Sequence, residues 1–278
     1  MMRSAWIAAL VGGVLFFAPA GRAAIIWVNG FKYSDPSFKS NVEVDLTDIA
    51  GVTGVKASSA DGAVLVLDAF APGQYGAWMG PWNSFSAFHA ATVGDWELSI
   101  EFTGGGKANY DFVVNDFRSP FTSDSFPPAP TILAPTDGQA GVGQNPTFQW
   151  DNGGPHTGSM ESLFAYVQSN ANPAISEFAS SSGGTLTLGS ESWTPTVTLP
   201  PGSAYFLVQY ETNENEDANV GNPVFDVASS TVADPHILWW SFGDLFSRDE
   251  ITFSVVPEPA TLSLLAMGAC LPLLRRRR

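Results

Sequence analysis

The stretch DWELSIEF, residues Asp95–Phe102, carries the clearest strand pattern in the chain. Its apolar members are Trp96, Leu98, Ile100 and Phe102, and they alternate with Glu97, Ser99 and Glu101. Successive side chains of a β-strand point to opposite faces, so strict alternation places all the apolar groups on one side. The stretch therefore predicts a strand with one face in a hydrophobic core and the other towards water.

Similar signals surround this strand. NVEVDLTDI (Asn41–Ile49) also alternates, and GAVLVLDAF (Gly62–Phe70) is apolar almost throughout, as in a strand covered on both faces. NYDFVVNDF (Asn109–Phe117) follows the turn sequence TGGGK (Thr103–Lys107), which predicts a hairpin. Strands joined by turns, without helices between them, predict an antiparallel sandwich.

A proline-dense stretch, SDSFPPAPTILAPTDG (Ser123–Gly138), interrupts this pattern and predicts a stiff linker with a boundary near Pro128. The expected fold is all-β, with two consecutive antiparallel β-sandwich units between an N-terminal signal peptide and a short C-terminal hydrophobic helix. The predicted segments are residues 1–23 (signal peptide), 24–127 and 128–255 (the two sandwiches) and 256–278 (C-terminal signal).

The N-terminus has the three parts of a secretory signal. Arg3 is followed by the apolar run Ala5–Phe17 and then by small residues. Two cleavage points fit, one after Ala20 and one after Ala23. The apolar run is shorter than the roughly 20 residues that a membrane-spanning helix needs. The sequence therefore predicts export of the chain.

The C-terminus predicts a transient anchor in the inner membrane. Ala260–Leu274 carries no charge but is also shorter than the roughly 20 residues of a spanning helix. Arg275–Arg278 would stay cytoplasmic, because basic residues are retained on that side. The body of the protein would then lie outside, at the cell surface or free of the cell.

The tail resembles the PEP-CTERM sorting signal, which is also described as an ice-binding-protein C-terminal motif. The resemblance rests on Val256-Pro257-Glu258-Pro259, the short apolar helix and the terminal arginine cluster. It implies cleavage near this motif by an exosortase and an association with extracellular polysaccharide or biofilm matrix. The implied signal residues are Pro257, Glu258, Pro259, Arg275, Arg276, Arg277 and Arg278.

The second sandwich resembles a fibronectin type III or related immunoglobulin-like domain. The residues that carry the resemblance are PTILAPTDGQAGVGQNPTFQW (Pro130–Trp150), SWTPTVTLPPGSAYFLVQYET (Ser192–Thr212) and ITFSV (Ile251–Val255). The resemblance implies that Trp150 is the core tryptophan of the second strand. It also implies that Tyr205 lies near the tyrosine-corner position.

The charge of the exported body excludes two classes of partner. Six of the 12 Lys and Arg residues lie in the terminal segments, whereas only Glu258 of the 27 Asp and Glu residues does. The body therefore keeps 6 basic and 26 acidic residues, a net charge of about −20. Such a surface repels nucleic acids and anionic lipids. The only cysteine, Cys270, lies in the tail, so no disulfide is expected in the body.

Motifs for catalysis are missing from the sequence. His89, His156 and His236 are far apart and have no zinc-binding spacing. The chain contains no nucleophile elbow, P-loop or dinucleotide fingerprint. We therefore predict that the protein is not an enzyme and needs no cofactor. A secreted carbohydrate-active enzyme is the third alternative, and it would need two carboxylates facing each other across a cleft.

The acidic stretch YETNENEDANVGN (Tyr210–Asn222) contains candidate calcium ligands. They are Glu211, Glu214, Glu216 and Asp217. Calcium takes six to eight oxygen ligands, which a loop rich in carboxylates and amides can supply. The spacing is not that of a known calcium loop, and the alternative is a solvated acidic loop at the edge of the sandwich.

The aromatic stretch QYGAWMGPWNSFSAFHA (Gln74–Ala90) allows two interpretations of Trp78 and Trp82. Exposed indole rings could stack on sugar rings, and buried ones would fill the core. The predicted function is that of an exported, non-catalytic surface or matrix protein associated with exopolysaccharide. The alternative is a carbohydrate- or calcium-dependent binding module, and the exposure of the two tryptophans distinguishes between them.

Overall fold

The computed structural model describes residues 23–117, 121–156, 161–212 and 220–257. Strands make up 52% of the structure and helices 5%. The all-β, sandwich-like class expected from the alternating patterns is thus confirmed. The predicted signal peptide and C-terminal signal lie outside the described residues, except for Ala23, Val256 and Pro257.

Within the described ranges, the strands are β1 (Ala23–Tyr33), β2 (Phe38–Asp45), β3 (Val52–Ser58), β4 (Val64–Ala71), β5 (Gln74–Trp82), β6 (Gly94–Phe102), β7 (Lys107–Val114), β8 (Thr131–Ala134), β9 (Phe148–Asp151), β10 (Glu161–Ser169), β11 (Ser176–Ser180), β12 (Ser192–Trp193), β13 (Gly202–Thr212), β14 (Val224–Phe225), β15 (Leu238–Phe242) and β16 (Leu245–Val255). One α-helix, α1 (Phe85–Thr92), lies between β5 and β6, and a short 3-10 turn spans Ser123–Ser125.

The chain forms two compact units, and both are discontinuous in sequence. Among the described residues, unit 1 takes 23–31, 36–125 and 220–245, and unit 2 takes 32–35, 126–212 and 246–257. One division between the units falls between Ser125 and Phe126, and another falls between Phe31 and Lys32. Residues 220–245 follow the linker in sequence, yet they cluster with unit 1.

Unit 1 is built on strands in the order β1-β2-β5-β4-β3-β6-β7-β14, and β15 pairs with β1 in parallel. The predicted hairpin is confirmed, because β6 and β7 pair antiparallel from Gly94↔Val114 to Glu101↔Lys107. Trp96, Leu98 and Ile100 are buried as the alternation predicts, but Ser99 is buried as well.

The burial of Ser99 is explained by a segment of unit 1 that is distant in sequence. Ser99 faces Asn109 across the β6–β7 pair. The Asn109 side chain donates hydrogen bonds to the backbone oxygen and to Oγ of Ser229, at 3.1 and 2.7 Å. A segment more than 100 residues later in the chain therefore lies against a face that the sequence alone predicts to be solvated.

Unit 2 has two layers of strands, β11-β10-β13-β16 and β12-β9-β8. Aromatic rings from both layers meet in its core. Phe148 of β9 stacks on Phe206 of β13 with ring centroids 3.8 Å apart, and Phe253 of β16 meets Phe148 edge-on at 5.6 Å. Trp150 is buried in β9. The hydroxyl of Tyr205 donates to Glu250 Oε2 at 2.8 Å.

Candidate functional site

Trp78 lies in the middle of β5 and keeps 37% of its surface exposed. Its indole contacts the ring of Phe31 on β1, with centroids 4.7 Å apart and planes inclined by 51°. In the antiparallel β2–β5 pair, Trp78 faces Asn41 directly and Gly76 faces Glu43. Residues that face each other in a pair, and residues two apart along a strand, share one side of the sheet. We call Phe31, Asn41, Glu43, Phe70 and Trp78 the Trp78 face.

Asn41 and Glu43 form a polar pair on this face. Asn41 Nδ2 donates to Glu43 Oε1 at 2.7 Å. Only 4% of Asn41 is exposed, and its Oδ1 atom has no hydrogen-bond partner among the described residues. Buried polar atoms without a partner are uncommon, because each one loses its hydration without compensation. The pair therefore holds one carbonyl oxygen that accepts no hydrogen bond from the described protein groups.

Gly76 makes room for Glu43 and Phe70. A Cβ atom at Gly76 would lie 3.2 Å from a Phe70 ring carbon and 3.4 Å from Cγ of Glu43. Phe70 thus covers the glycine on the side to which Glu43 projects. Burial raises the pKa of the Glu43 carboxyl above its ordinary value, because the charged form is poorly solvated there.

A second amide–carboxylate pair lies further along the same two strands. Gln74 of β5 faces Asp45 of β2 and donates from Nε2 to Asp45 Oδ2 at 2.9 Å. Asp45 Oδ1 accepts a hydrogen bond from the backbone N–H of Thr47 at 2.9 Å. One side of the β2–β5 pair thus presents an exposed indole and two amide–carboxylate pairs.

Trp82 has different surroundings. It is half-buried at the end of β5, where it faces Phe38 in register, and its ring meets Phe88 of α1 edge-on at 5.8 Å. Helix α1 begins after Ser84, whose Oγ caps it by accepting a hydrogen bond from the N–H of Ala87 at 3.3 Å. Phe88 is fully buried. Trp82 therefore packs in an aromatic cluster around α1, whereas Trp78 is exposed.

The candidate calcium ligands are only partly described. Glu211 is a buried residue of β13, opposite Ser162 of β10. Glu214, Glu216 and Asp217 lie outside the described residues. In the part of the chain that the structure describes, no three acidic, histidine or cysteine side chains are placed so that they could hold a metal ion. Calcium binding by the loop stays a prediction.

The predicted sorting-signal residues begin where β16, the last described strand, ends. β16 ends at Val255, and the N–H of Val256 donates to the Val142 oxygen at 2.9 Å. Pro257 is the last described residue, and Glu258, Pro259, Arg275, Arg276, Arg277 and Arg278 lie outside the described ranges. Among the helices that the structure describes, none has the length and apolarity to cross a bilayer.

Each of the three histidines has a neighbour of its own. His89 Nε2 lies 2.9 Å from Asp116 Oδ1, and His236 Nδ1 lies 3.4 Å from Asp234 Oδ2. The ring of His156 stacks on Tyr210 with centroids 3.6 Å apart.

Sequence reasoning did not anticipate a polar centre around Asn152 in unit 2. Asn152 Oδ1 accepts hydrogen bonds from Trp150 Nε1, at 3.1 Å, and from the hydroxyl of Tyr210. Its amide donates to Glu191 Oε1 at 3.3 Å. These contacts satisfy the polar ends of two buried aromatic side chains, and we assign the cluster to the stability of unit 2.

No known protein family matches this chain, and no curated protein matches it at a significant level. The resemblances of the tail and of the second sandwich stay predictions from the sequence. The Trp78 face and the acidic charge of the chain are the features that bear on its function.

Proposed function

We propose that the protein is an exported, non-catalytic surface protein that binds a neutral extracellular polysaccharide through the Trp78 face. The observation that carries the proposal is the position of Trp78, which is exposed beside the Asn41–Glu43 pair. Binding sites for small polar ligands combine an apolar surface with a few polar groups that set orientation. The Trp78 face has this composition.

Sugar chemistry fits these groups. The two faces of a pyranose ring carry C–H bonds, which pack on a flat indole, and the hydroxyls project from the edge of the ring. Carboxylate oxygens accept hydrogen bonds from hydroxyls, and amide groups both donate and accept. The contact with Phe31 supports the indole from within the same unit. A sugar stacked on Trp78 would thus find the partly exposed carboxylate of Glu43, which lies on β2 two residues from the position opposite Trp78.

The charge of the chain selects the ligand class. The formal net charge is −15 for the whole sequence, and Glu43 lies on the Trp78 face itself. Like charges at such a surface oppose association, so uronate-rich or sulfated polymers are disfavoured. The proposed ligand is therefore a neutral glycan.

The C-terminal motif supports the location that we propose. Exosortase recognition at Pro257-Glu258-Pro259 would release the body from its transient inner-membrane anchor to the cell surface or medium. When the three residues are replaced with alanine, we expect the tail to be retained. Intact mass and cell fractionation of the wild type and the variant, in a host with an exosortase, measure this. An unprocessed, membrane-bound product in both strains would contradict this part of the proposal.

The binding proposal is tested by affinity electrophoresis of the wild type and of Trp78→Ala in gels with hydroxyethylcellulose, dextran or alginate. We expect a neutral polymer to retard the wild type, and we expect alginate, a uronate polymer, not to retard it. Loss of the indole should weaken binding about tenfold or more, equivalent to about 1.4 kcal/mol. Trp240→Ala is the matched control, because Trp240 belongs to the same unit and is 43% exposed.

Two results would overturn the binding proposal. Equal weakening by both variants would show that exposed tryptophan in general, and not the Trp78 face, causes retention. Retardation by alginate alone would contradict the neutral ligand class. Circular dichroism of both variants verifies that the fold is retained.

A further inference from the structure

Strand β1 begins at Ala23, inside the region where the sequence places the end of the signal peptide. Of the two fitting cleavage points, the one after Ala20 precedes β1 and the one after Ala23 falls within it. β1 pairs in parallel with β15, and the register runs Ala23↔Leu238, Ala24↔Trp239 and onward to Trp27↔Phe242. The choice of cleavage point therefore decides whether Ala23, which is paired with Leu238, belongs to the mature protein.

Ala24 is buried among apolar and aromatic side chains. Only 1% of Ala24 is exposed, and Trp239, its partner in the register, is buried too. The Trp239 ring packs edge-on against Tyr110 with centroids 5.3 Å apart, and Ile26, two residues further along β1, is fully buried. The nitrogen of Ala24 thus belongs to a strand enclosed by the core of unit 1.

Cleavage after Ala23 would turn this nitrogen into the terminal ammonium. An α-amino group has a pKa of about 7.7–8.0, so it carries a charge at neutral pH. Taking an ammonium out of water without a partner is strongly unfavourable. The same cut would also remove the Ala23 end of the β1–β15 pair. Cleavage after Ala20 leaves Gly21 and Arg22 before Ala23 in the chain and keeps the nitrogens of Ala23 and Ala24 as ordinary amides.

We propose that the signal peptide ends at Ala20 and that the mature protein begins at Gly21. Signal peptidase acts on the extended chain, so folding does not restrict the enzyme, but only this product can rebuild β1 without burying a charge. The proposal moves the end of the leader from residue 23 to residue 20 and retains Arg22. It rests on the proposed export of the chain.

The first test expresses the full chain in a Gram-negative host and determines the N-terminus of the exported protein by mass spectrometry. A folded product that begins at Gly21 supports the proposal, and one that begins at Ala24 overturns it. Retention of Met1 in a soluble cytoplasmic product would contradict export itself, which separates failure of the proposed function from failure of the cleavage site.

The second test does not depend on export. Bodies that begin with a native Gly21 or Ala24 and end at Pro257 are released from a fusion partner and unfolded by heat. We expect the Ala24 body to melt at least about 4 °C lower near neutral pH. The gap should narrow when the pH rises above about 8, where the terminal amine loses its charge. Acetylation of the Ala24 amine should narrow it in the same way.

Equal melting temperatures near neutral pH would overturn the inference. A gap that neither high pH nor acetylation reduces would overturn its charge argument, because loss of strand pairing alone would then explain the difference.

Discussion

Glu43 shows how one residue acquires a property that its own chemistry does not give it. It alternates with Val42 and Val44 of β2, which are buried on the other face of the strand. The alternation predicts a solvated carboxylate. Phe70 covers the carboxyl group and Asn41 donates a hydrogen bond to it, so the group is largely buried, and this burial raises its pKa.

This raised pKa predicts a pH-dependent effect of Glu43→Gln on stability. Below the unfolded-state pKa, near 4.3, the carboxyl is neutral in both states and carries no penalty. As the pH rises through the raised folded-state pKa, the folded protein must bury a charge, and this part of its stability is lost. The glutamine variant has no such loss. We expect its Tm advantage over the wild type to grow from near zero at low pH to a constant value at neutral pH.

Glu101→Gln is the matched control for this prediction. Lys56 donates a hydrogen bond to Glu101 Oε1 at 2.5 Å and lowers the pKa of that carboxyl. Charge at Glu101 therefore stabilises the folded state, and its removal should lower the Tm slightly at neutral pH but not at low pH. A Glu43→Gln variant that is less stable than the wild type at every pH would contradict the burial argument.

At the scale of elements, β16 determines where the folded body can end. Ile251, Phe253 and Val255 alternate along it and are all buried. Val255 forms a bridge with Val142, and the backbone N–H of Ser254 donates to the Gln139 oxygen at 2.8 Å. The predicted sorting signal therefore starts directly after a strand that the core of unit 2 requires.

We predict that a body ending at Pro257 is as stable as one that keeps the residues up to Pro259, whereas one ending at Ser254 is weaker. The shorter body loses the buried Val255 side chain, worth about 1.5–3 kcal/mol, and the bond from Val256 to Val142. Urea unfolding measures the difference. Equal midpoints for the bodies ending at Ser254 and Pro257 would show that the end of β16 is dispensable.

At the scale of the whole molecule, unit 1 is completed by a late segment of the chain. β14 pairs with β7 through Val224↔Asp111 and Phe225↔Tyr110. The backbone N–H of Asn109 donates to Ser230 Oγ at 2.9 Å, and β15 adds to β1. Without residues 220–245, the ring of Tyr110 would lose both Phe225 and Trp239.

The sequence alone predicts that residues 24–127 form a complete sandwich. Because that fragment lacks residues 220–245, we expect it not to fold by itself. Loss of two strands and of the rings around Tyr110 removes several kcal/mol, and a domain has only about 5–15 kcal/mol of net stability. Near-ultraviolet circular dichroism and amide proton dispersion should show an unstructured chain. A cooperative melt of the fragment close to that of the complete body would contradict the discontinuous unit.

The sequence by itself determined the all-β class and the β6–β7 hairpin. These features depend on residues that are neighbours along the chain, through alternation of side chains and the conformations of glycine and proline. Burial of Trp96 followed from the same alternation.

Only the tertiary structure decided which residues meet across strands. Trp78 and Trp82 are chemically alike and four residues apart, yet one faces Asn41 and is exposed, whereas the other packs against α1. The return of residues 220–245 to unit 1 likewise has no local signal. Register and strand order come from long-range pairing, whose energy depends on partners that are distant in sequence, and the local pattern around a residue does not contain them.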